Sequence, residues 1–263
     1  MRVVVAIPAR FQSVRFPGKP LVPLRGATGI SRTLLERTHE AAASARGVER
    51  VIVATDDERI AEHAKSFGAE VMMTSSECRN GTERCAEVLS QLSDKPDIIV
   101  NVQGDAPLTP PEFVEALVAG MTGCDVATPV LRCDLAILER FKEDRRNHQV
   151  GGTLAVMDRA GRALYFSKEI IPYADAIATE EEARTVFHHV GLYAYTPAAL
   201  ADYLAWPQGV LERREGLEQL RFLENGASVA CVEVAASGRT FWELNNPVDV
   251  ERIERALAEA GIA

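Results

Sequence analysis

A chain of 263 residues can bury a substantial core, as one large domain or two small ones. Its 47% apolar and 25% charged residues are those of an ordinary globular protein, and no apolar run approaches the ~20 residues of a membrane span. The formal charge of -9 argues against a nucleic-acid surface, so a phosphate ligand must be held by a local cationic cluster.

The N-terminal run Val3–Ile7 is closed by Pro8 and Arg10 rather than by a small-residue cleavage site. It reads as a first strand and not as a signal peptide, which sets the expectation of a cytoplasmic protein. The five cysteines, Cys78, Cys85, Cys124, Cys133 and Cys231, form no Cys-x-x-Cys pair and read as reduced structural thiols.

In chain order, Val3–Ile7 is a β-branched strand followed by a Pro/Gly-rich loop. Helical spacing is expected over 30–45, a strand over 51–55, a helix over 60–67 and a strand over 70–73. A helix over 82–92, a strand over 98–102, a helix over 111–121 and a strand over 126–130 continue the alternation. Continuous apolar strands separated by helices predict a doubly wound, Rossmann-like α/β sheet with ligands at the carboxyl ends of its strands.

Beyond Pro129 the rhythm changes. Residues 152–157 and 163–166 read as two strands around a turn, and 188–195 alternates as one strand. Residues 211–223 read as a helix, 228–234 as a strand, 248–260 as a closing helix, and the acidic stretch 179–185 as a solvated, helix-like face. The expectation is a single domain over 1–263 with a smaller inserted sheet or hairpin. Its two halves are residues 1–130 and residues 131–263.

Three segments carry chemistry. After the first strand, Arg10, Ser13, Arg15 and Lys19 lie in a loop with Gly18 and three prolines. Backbone amides and Ser13 offer neutral donors there, and the three cations offset charge, so the loop can wrap a polyphosphate. Its glycines fit neither a Walker A loop nor a dinucleotide fingerprint. At the end of the strand over 98–102, Gln103-Gly104-Asp105 combines a glycine that permits close backbone approach with a carboxylate able to hold Mg²⁺ against phosphate oxygens. In Arg79-Asn80-Gly81-Thr82-Glu83-Arg84, Asn-Gly makes a turn and Thr82 is a candidate N-cap; residue type alone leaves a plain helix cap and a base-contacting wall equally open.

These segments, in this order and at these spacings, resemble the CMP-KDO synthetase family, the 3-deoxy-manno-octulosonate cytidylyltransferases. Leu164-Tyr165-Phe166-Ser167, His189-Val190-Gly191-Leu192-Tyr193 and Leu217-Glu218-Gln219-Leu220-Arg221 match as well, so the resemblance runs from about Val3 to Arg252. It implies an α/β nucleotidyltransferase fold, a homodimer, and Mg²⁺-dependent transfer of CMP from CTP to a small acidic acceptor. It further implies that Arg10 and Lys19 bind the triphosphate, with Arg15 beside them. Arg15, Lys19 and Asp105 would take up charge on the leaving pyrophosphate, and Asp105 would bind the metal. Arg79, Gly81, Thr82 and Arg84 would wall the cytosine and ribose, and Gln103 would stand at the junction with the acceptor. Lys168, His189, Tyr193, Glu218 and Gln219 would line the acceptor pocket, although His189 and Tyr193 on an alternating strand also fit a packed core.

Three departures stand out. Asn245, in Leu244-Asn245-Asn246-Pro247, replaces the family's second metal-binding Asp; Lys168 replaces an arginine; and Asn147–Gly152 lacks the family's lysine. A weakened second metal site leaves two acceptors open: the family's sugar acid, with Asn245 as a neutral metal ligand, or a phosphonate such as phosphonoformate, which is already an oxyanion. A degraded homologue acting as a nucleotide-binding sensor is the alternative of another class.

Overall fold

β-branched and apolar residues at consecutive positions, with no polar alternation, make the first strands of this chain and require cover on both faces. The computed structural model describes every residue except Val14, Ala106, Gly151, Asp175, Ala176, Ala178, 236–243 and Asn245. The chain forms two compact units, Met1–Val118 with Ala236–Ala263, and Ala119–Ala235. Among the described residues no helix is long and apolar enough to cross a membrane.

The first unit runs β1 (Val3–Ala9), β2 (Pro23–Arg25), β3 (Ser31–Thr33), α1 (Leu34–Ala43), β4 (Arg50–Thr55), α2 (Glu58–Ser66), β5 (Glu70–Met73), α3 (Gly81–Gln91), β6 (Ile98–Val102) and α4 (Pro111–Gly120). Its main strands are all parallel, in the order β5-β4-β1-β6. Nearly every residue of β1 and all of β6 are buried, as a sheet covered on both faces demands. The chain winds outward from β1 through β4 to β5 and then returns to the other side of β1 as β6. The order therefore reverses between the carboxyl ends of β1 and β6, where open α/β sheets bind ligands.

The second unit runs β7 (Val126–Arg132), α5 (Leu135–Arg146), β8 (Thr153–Met157), β9 (Ala163–Ser167), α6 (Glu180–Ala183), β10 (Phe187–His189), β11 (Leu192–Tyr195), α7 (Pro197–Ala205), α8 (Val210–Glu215), α9 (Leu220–Glu224) and β12 (Val229–Glu233). β12 lies parallel to β7, β10 and β11 run antiparallel to it, and β8 and β9 extend the sheet as an antiparallel hairpin. The closing helix α10 (Asp249–Glu259) belongs to the first unit, where Ile253 and Leu257 join Leu24 and Leu34 in one buried cluster. The doubly wound α/β fold with a smaller antiparallel part is thus present.

Local details correct the periodicity. The helix expected from residue 30 starts at Leu34, because Ser31–Thr33 pairs with Pro23–Arg25 and Thr33 caps the helix through Glu36 N. The single strand over 188–195 is two, interrupted at Val190-Gly191. The single helix over 211–223 is also two, because Gly216 adopts φ 64 and ends α8. Helix α5 escaped the sequence reading, since its charged surface masks a narrow apolar face of Leu138 and Phe141.

One buried interaction fixes the α8–α9 corner. Arg221 has a fully buried side chain and forks onto Glu212 with two bonds of 2.7 Å, its guanidinium lying 3.9 Å over the Tyr203 ring. Its nitrogen also donates to Tyr203 O. Removing one partner strands a charge without water. Glu212→Leu is expected to lower the unfolding free energy by about 3–5 kcal/mol in urea titration, and Glu212→Leu/Arg221→Leu to recover much of it.

Candidate active site

Gly104 determines how closely the two strand ends meet. A Cβ at this position would stand 2.8 Å from the carbonyl oxygen of Pro8, a backbone atom that cannot swing away. The end of β6 therefore approaches the end of β1, and a cavity of about 300 Å³ opens beside them. Arg10, Ser13, Arg15 and Lys19 line it from the loop after β1, Gln103, Gly104 and Asp105 from the end of β6, and Gly81 and Arg84 from the start of α3.

The loop after β1 is folded on itself. Gly18 N donates to Phe11 O at 2.8 Å, and Gly18 takes φ 72 to begin the short 3₁₀ turn Lys19–Leu21. Phe11 packs under Gly18, and the Arg59 guanidinium stacks 3.3 Å from the ring centroid, itself held by Asp57. Lys19 Nζ reaches across to Asp105 Oδ2 at 2.6 Å and donates to Leu244 O at 3.2 Å. Leu244 N in turn donates to Asp105 O at 2.9 Å. Asp105 is the one carboxylate among the described lining residues, while Arg10 and Arg15 are exposed cations on the same cavity.

The α3 wall differs in detail from the sequence reading. The N-cap is Asn80, whose side chain accepts from Glu83 N at 2.8 Å, whereas Thr82 is fully buried within the helix and does not line the cavity. Arg79 pairs with Glu83 and is also absent from the lining. Asn80 and Cys78 do line it; an Asn-Gly step before a helix was the signal for Asn80, and nothing in the local sequence marked Cys78. The Cys78 thiol is pushed up to about 12 by burial and by the Glu87 carboxylate it bonds at 3.1 Å, so it is not a nucleophile. A Cβ at Gly81 would meet the Gln103 and Asn101 amides at 2.8 and 2.9 Å, so glycine leaves those amides their room.

The later residues gather in the second unit. His189 Nε2 lies 2.8 Å from Thr128 Oγ1, and its ring packs against Phe166 and Tyr193. Tyr193 donates its hydroxyl to Gln219 Oε1 at 3.1 Å. Gln219 is 1% exposed, and its Nε2 has no hydrogen-bond partner among the described residues. Lys168 follows β9, its amide held by Glu215, which also accepts from Ser167. Lys168 and Glu218 are half-buried. Asn245 lies outside the described residues.

The cytidylyltransferase family model matches residues 4–233. The chain belongs to that family. The 3-deoxy-manno-octulosonate cytidylyltransferase of Maricaulis maris is 38% identical over 264 residues, covering 99% of each chain. That of Anaeromyxobacter sp. (strain Fw109-5) is 42% identical over 260 residues, covering 99% of this chain and 98% of its own. A solved CMP:2-keto-3-deoxy-manno-octonic acid synthetase complexed with CTP is 32% identical with a TM-score of 0.84, covering 99% of this chain and 100% of that one. The 4-diphosphocytidyl-2C-methyl-D-erythritol synthase of Anaerococcus prevotii, at 14% identity and a TM-score of 0.57, shares the fold alone.

Two outcomes follow for this cytidylyltransferase. Gly104→Ala is expected to part the ends of β1 and β6 and to lower kcat/KM by about tenfold or more with the fold retained, checked by steady-state kinetics beside circular dichroism. Burial pushes His188 down to about 4 and His189 to about 3, so both rings stay neutral in the folded protein where the unfolded chain already binds protons. Stability is therefore lost as pH falls from about 6.5 toward 4, by roughly 1 kcal/mol per pH unit for each ring, and His189→Gln should flatten that slope in urea titrations.

Proposed function

We propose that this CTP-dependent cytidylyltransferase transfers CMP to 3-deoxy-manno-octulosonate, releasing pyrophosphate. The observation that carries the nucleotide half is the convergence of Arg10, Arg15, Lys19, Gln103 and Asp105 on one cavity at the reversal of the strand order. The acceptor half is supported by the relatives named above, which act by name on that sugar acid, and by the buried amide of Gln219, whose Nε2 has no hydrogen-bond partner among the described residues. Nothing among those relatives favours a phosphonate acceptor, and a sensor has no evident need of the catalytic pairing of Lys19 with Asp105.

In the proposed reaction an acceptor hydroxyl attacks the α-phosphorus in line; a new O–P bond forms, the bond to pyrophosphate breaks and the hydroxyl proton is released. The protein's work is positioning and charge stabilisation. Arg10 and Ser13 hold the phosphate chain from the loop, and Arg15 and Lys19 meet the negative charge that grows on the departing pyrophosphate. Lys19 is aimed by its bonds to Asp105 and Leu244. Gly81 and Arg84 wall the nucleoside and Gln103 adjoins the acceptor. In the second unit, Lys168, His189, Tyr193, Glu218 and Gln219 form the acceptor's binding group. His189, neutral and bonded to Thr128, serves as a shaped wall and hydrogen-bonding group rather than as a cation.

The donor set suits Mg²⁺. One Asp105 oxygen faces Lys19, the carboxylate lines the cavity shared with Arg10, Arg15 and Lys19, and magnesium is usually held by one or two carboxylates plus substrate phosphates. Bound by Asp105, the ion would supply neutralisation of phosphate charge.

Pyrophosphate release with CTP and Mg²⁺, run side by side with 3-deoxy-manno-octulosonate and phosphonoformate, tests the reading. Turnover with the sugar acid is expected, and turnover with the phosphonate alone would overturn it. Lys19→Met is expected to cut kcat by about a hundredfold or more while protein stability changes little, since a cation ~4 Å from developing charge is worth a few kcal/mol. Sedimentation of the purified chain checks the homodimer that accompanies this proposal.

A further inference from the structure

Asp56 directly follows β4, and among the described residues its carboxylate has one partner, Arg84. Its Oδ1 lies 3.4 Å from the Nη2 of Arg84, an ion-pair contact, and that buried oxygen makes no hydrogen bond among the described residues. Arg84 is 4% exposed at its side chain and lines the cavity from the first turn of α3. Its other terminal nitrogen donates to Thr74 Oγ1. Thr74 is fixed in turn, because its amide donates to Thr55 O at 2.9 Å and Thr55 closes β4. Both restraints on Arg84 thus derive from the same rigid place, the carboxyl end of the second parallel strand.

The comparison with Arg221 shows what kind of arginine this is. Arg221 is saturated: a bidentate carboxylate, a backbone carbonyl and an aromatic face consume its fork, and its side chain is wholly buried. Arg84 is held by one bond to Thr74 and one loose ion pair, which leaves some of its five N–H groups without a side-chain partner among the described residues, on a residue that lines the cavity. A guanidinium so buried needs a counter-charge, or the group leaves its place. Asp56 provides that charge without lining the cavity itself.

We propose that Asp56 is a positioning residue for nucleotide binding: it balances and orients Arg84 so that the unused donors of the guanidinium point into the cavity. This rests on the reading that the cavity receives CTP. Asp56 does not line the cavity itself, so its whole effect on CTP passes through Arg84.

CTP binding by calorimetry and steady-state kinetics on the full chain test this with Asp56→Asn, Arg84→Ala and the double variant. Asp56→Asn is expected to weaken CTP by about tenfold while kcat stays within about twofold, and the double variant to bind no worse than Arg84→Ala alone. CTP affinity unchanged by Asp56→Asn, or losses that multiply in full in the double variant, would overturn the proposal. If Asp56→Asn does not fold, Asp56→Glu keeps the charge and displaces it by a methylene; a severalfold rise in KM for CTP supports the assignment and wild-type KM overturns it. Wild-type CTP affinity in both Arg84→Ala and Lys19→Met would remove the nucleotide reading of the cavity, and Asp56's role with it. Weakened binding in those two with none in Asp56→Asn would remove Asp56's role alone.

Discussion

The parallel pairing of β1 with β6 is the constraint on which the rest of this protein depends. Val3–Ala6 lie against Ile98–Asn101, which sets Pro8 and Gly104 beside each other at the strand ends. There a side chain of any size would collide with backbone. Everything that reads as nucleotide chemistry hangs from that meeting point: the loop of cations after one strand, the carboxylate after the other, and the Lys19–Asp105 bond that joins them across 86 positions of sequence. A parallel sheet that winds one way and then restarts on the other side of its first strand leaves a crevice at that place, and this chain furnishes it with charge.

The electrostatic design is one of local exception. The chain is acidic overall, yet the cavity is lined by four cationic side chains against a single carboxylate among its described residues. Each cation is treated differently. Lys19 is tied to Asp105, Arg84 is buried and paired with Asp56, and Arg10 and Arg15 stand exposed. Such grading suits a polyphosphate whose charge shifts during reaction, because fixed donors need no reorganisation as charge moves. Phe11, packed between Gly18 and Arg59, anchors the loop that carries three of these groups.

The second unit solves a different problem with different means. Its polar candidates are embedded among aromatic rings: His189 lies between Phe166 and Tyr193, and Tyr193 stacks on Tyr195. Burial keeps the histidine neutral and fixes Tyr193 on Gln219. A buried amide nitrogen with no partner costs stability wherever it occurs, and such a cost is commonly retained where a ligand completes the bond.

The sequence by itself determined the alternation of elements in the first unit, because buried parallel strands must be apolar at every position and amphipathic helices must repeat every 3.6 residues. It also showed the cationic loop and the Gly-Asp strand end, although Gly-Asp alone is ordinary turn chemistry and gains force only beside that loop. The tertiary structure alone decided which of these meet. The hairpin that shortens α1 and the break at Gly216 depend on pairing and left-handed backbone that periodicity does not encode, and the α3 cap falls on Asn80 rather than Thr82 because it is the Asn80 side chain that reaches Glu83 N. Asp56 shows the limit most plainly. In sequence it is one of two adjacent aspartates before a helix, indistinguishable from its neighbour, which caps α2. Only the fold places Arg84, 28 residues further on, against the first of them, because two strand ends and one helix start converge there and no local pattern records that convergence.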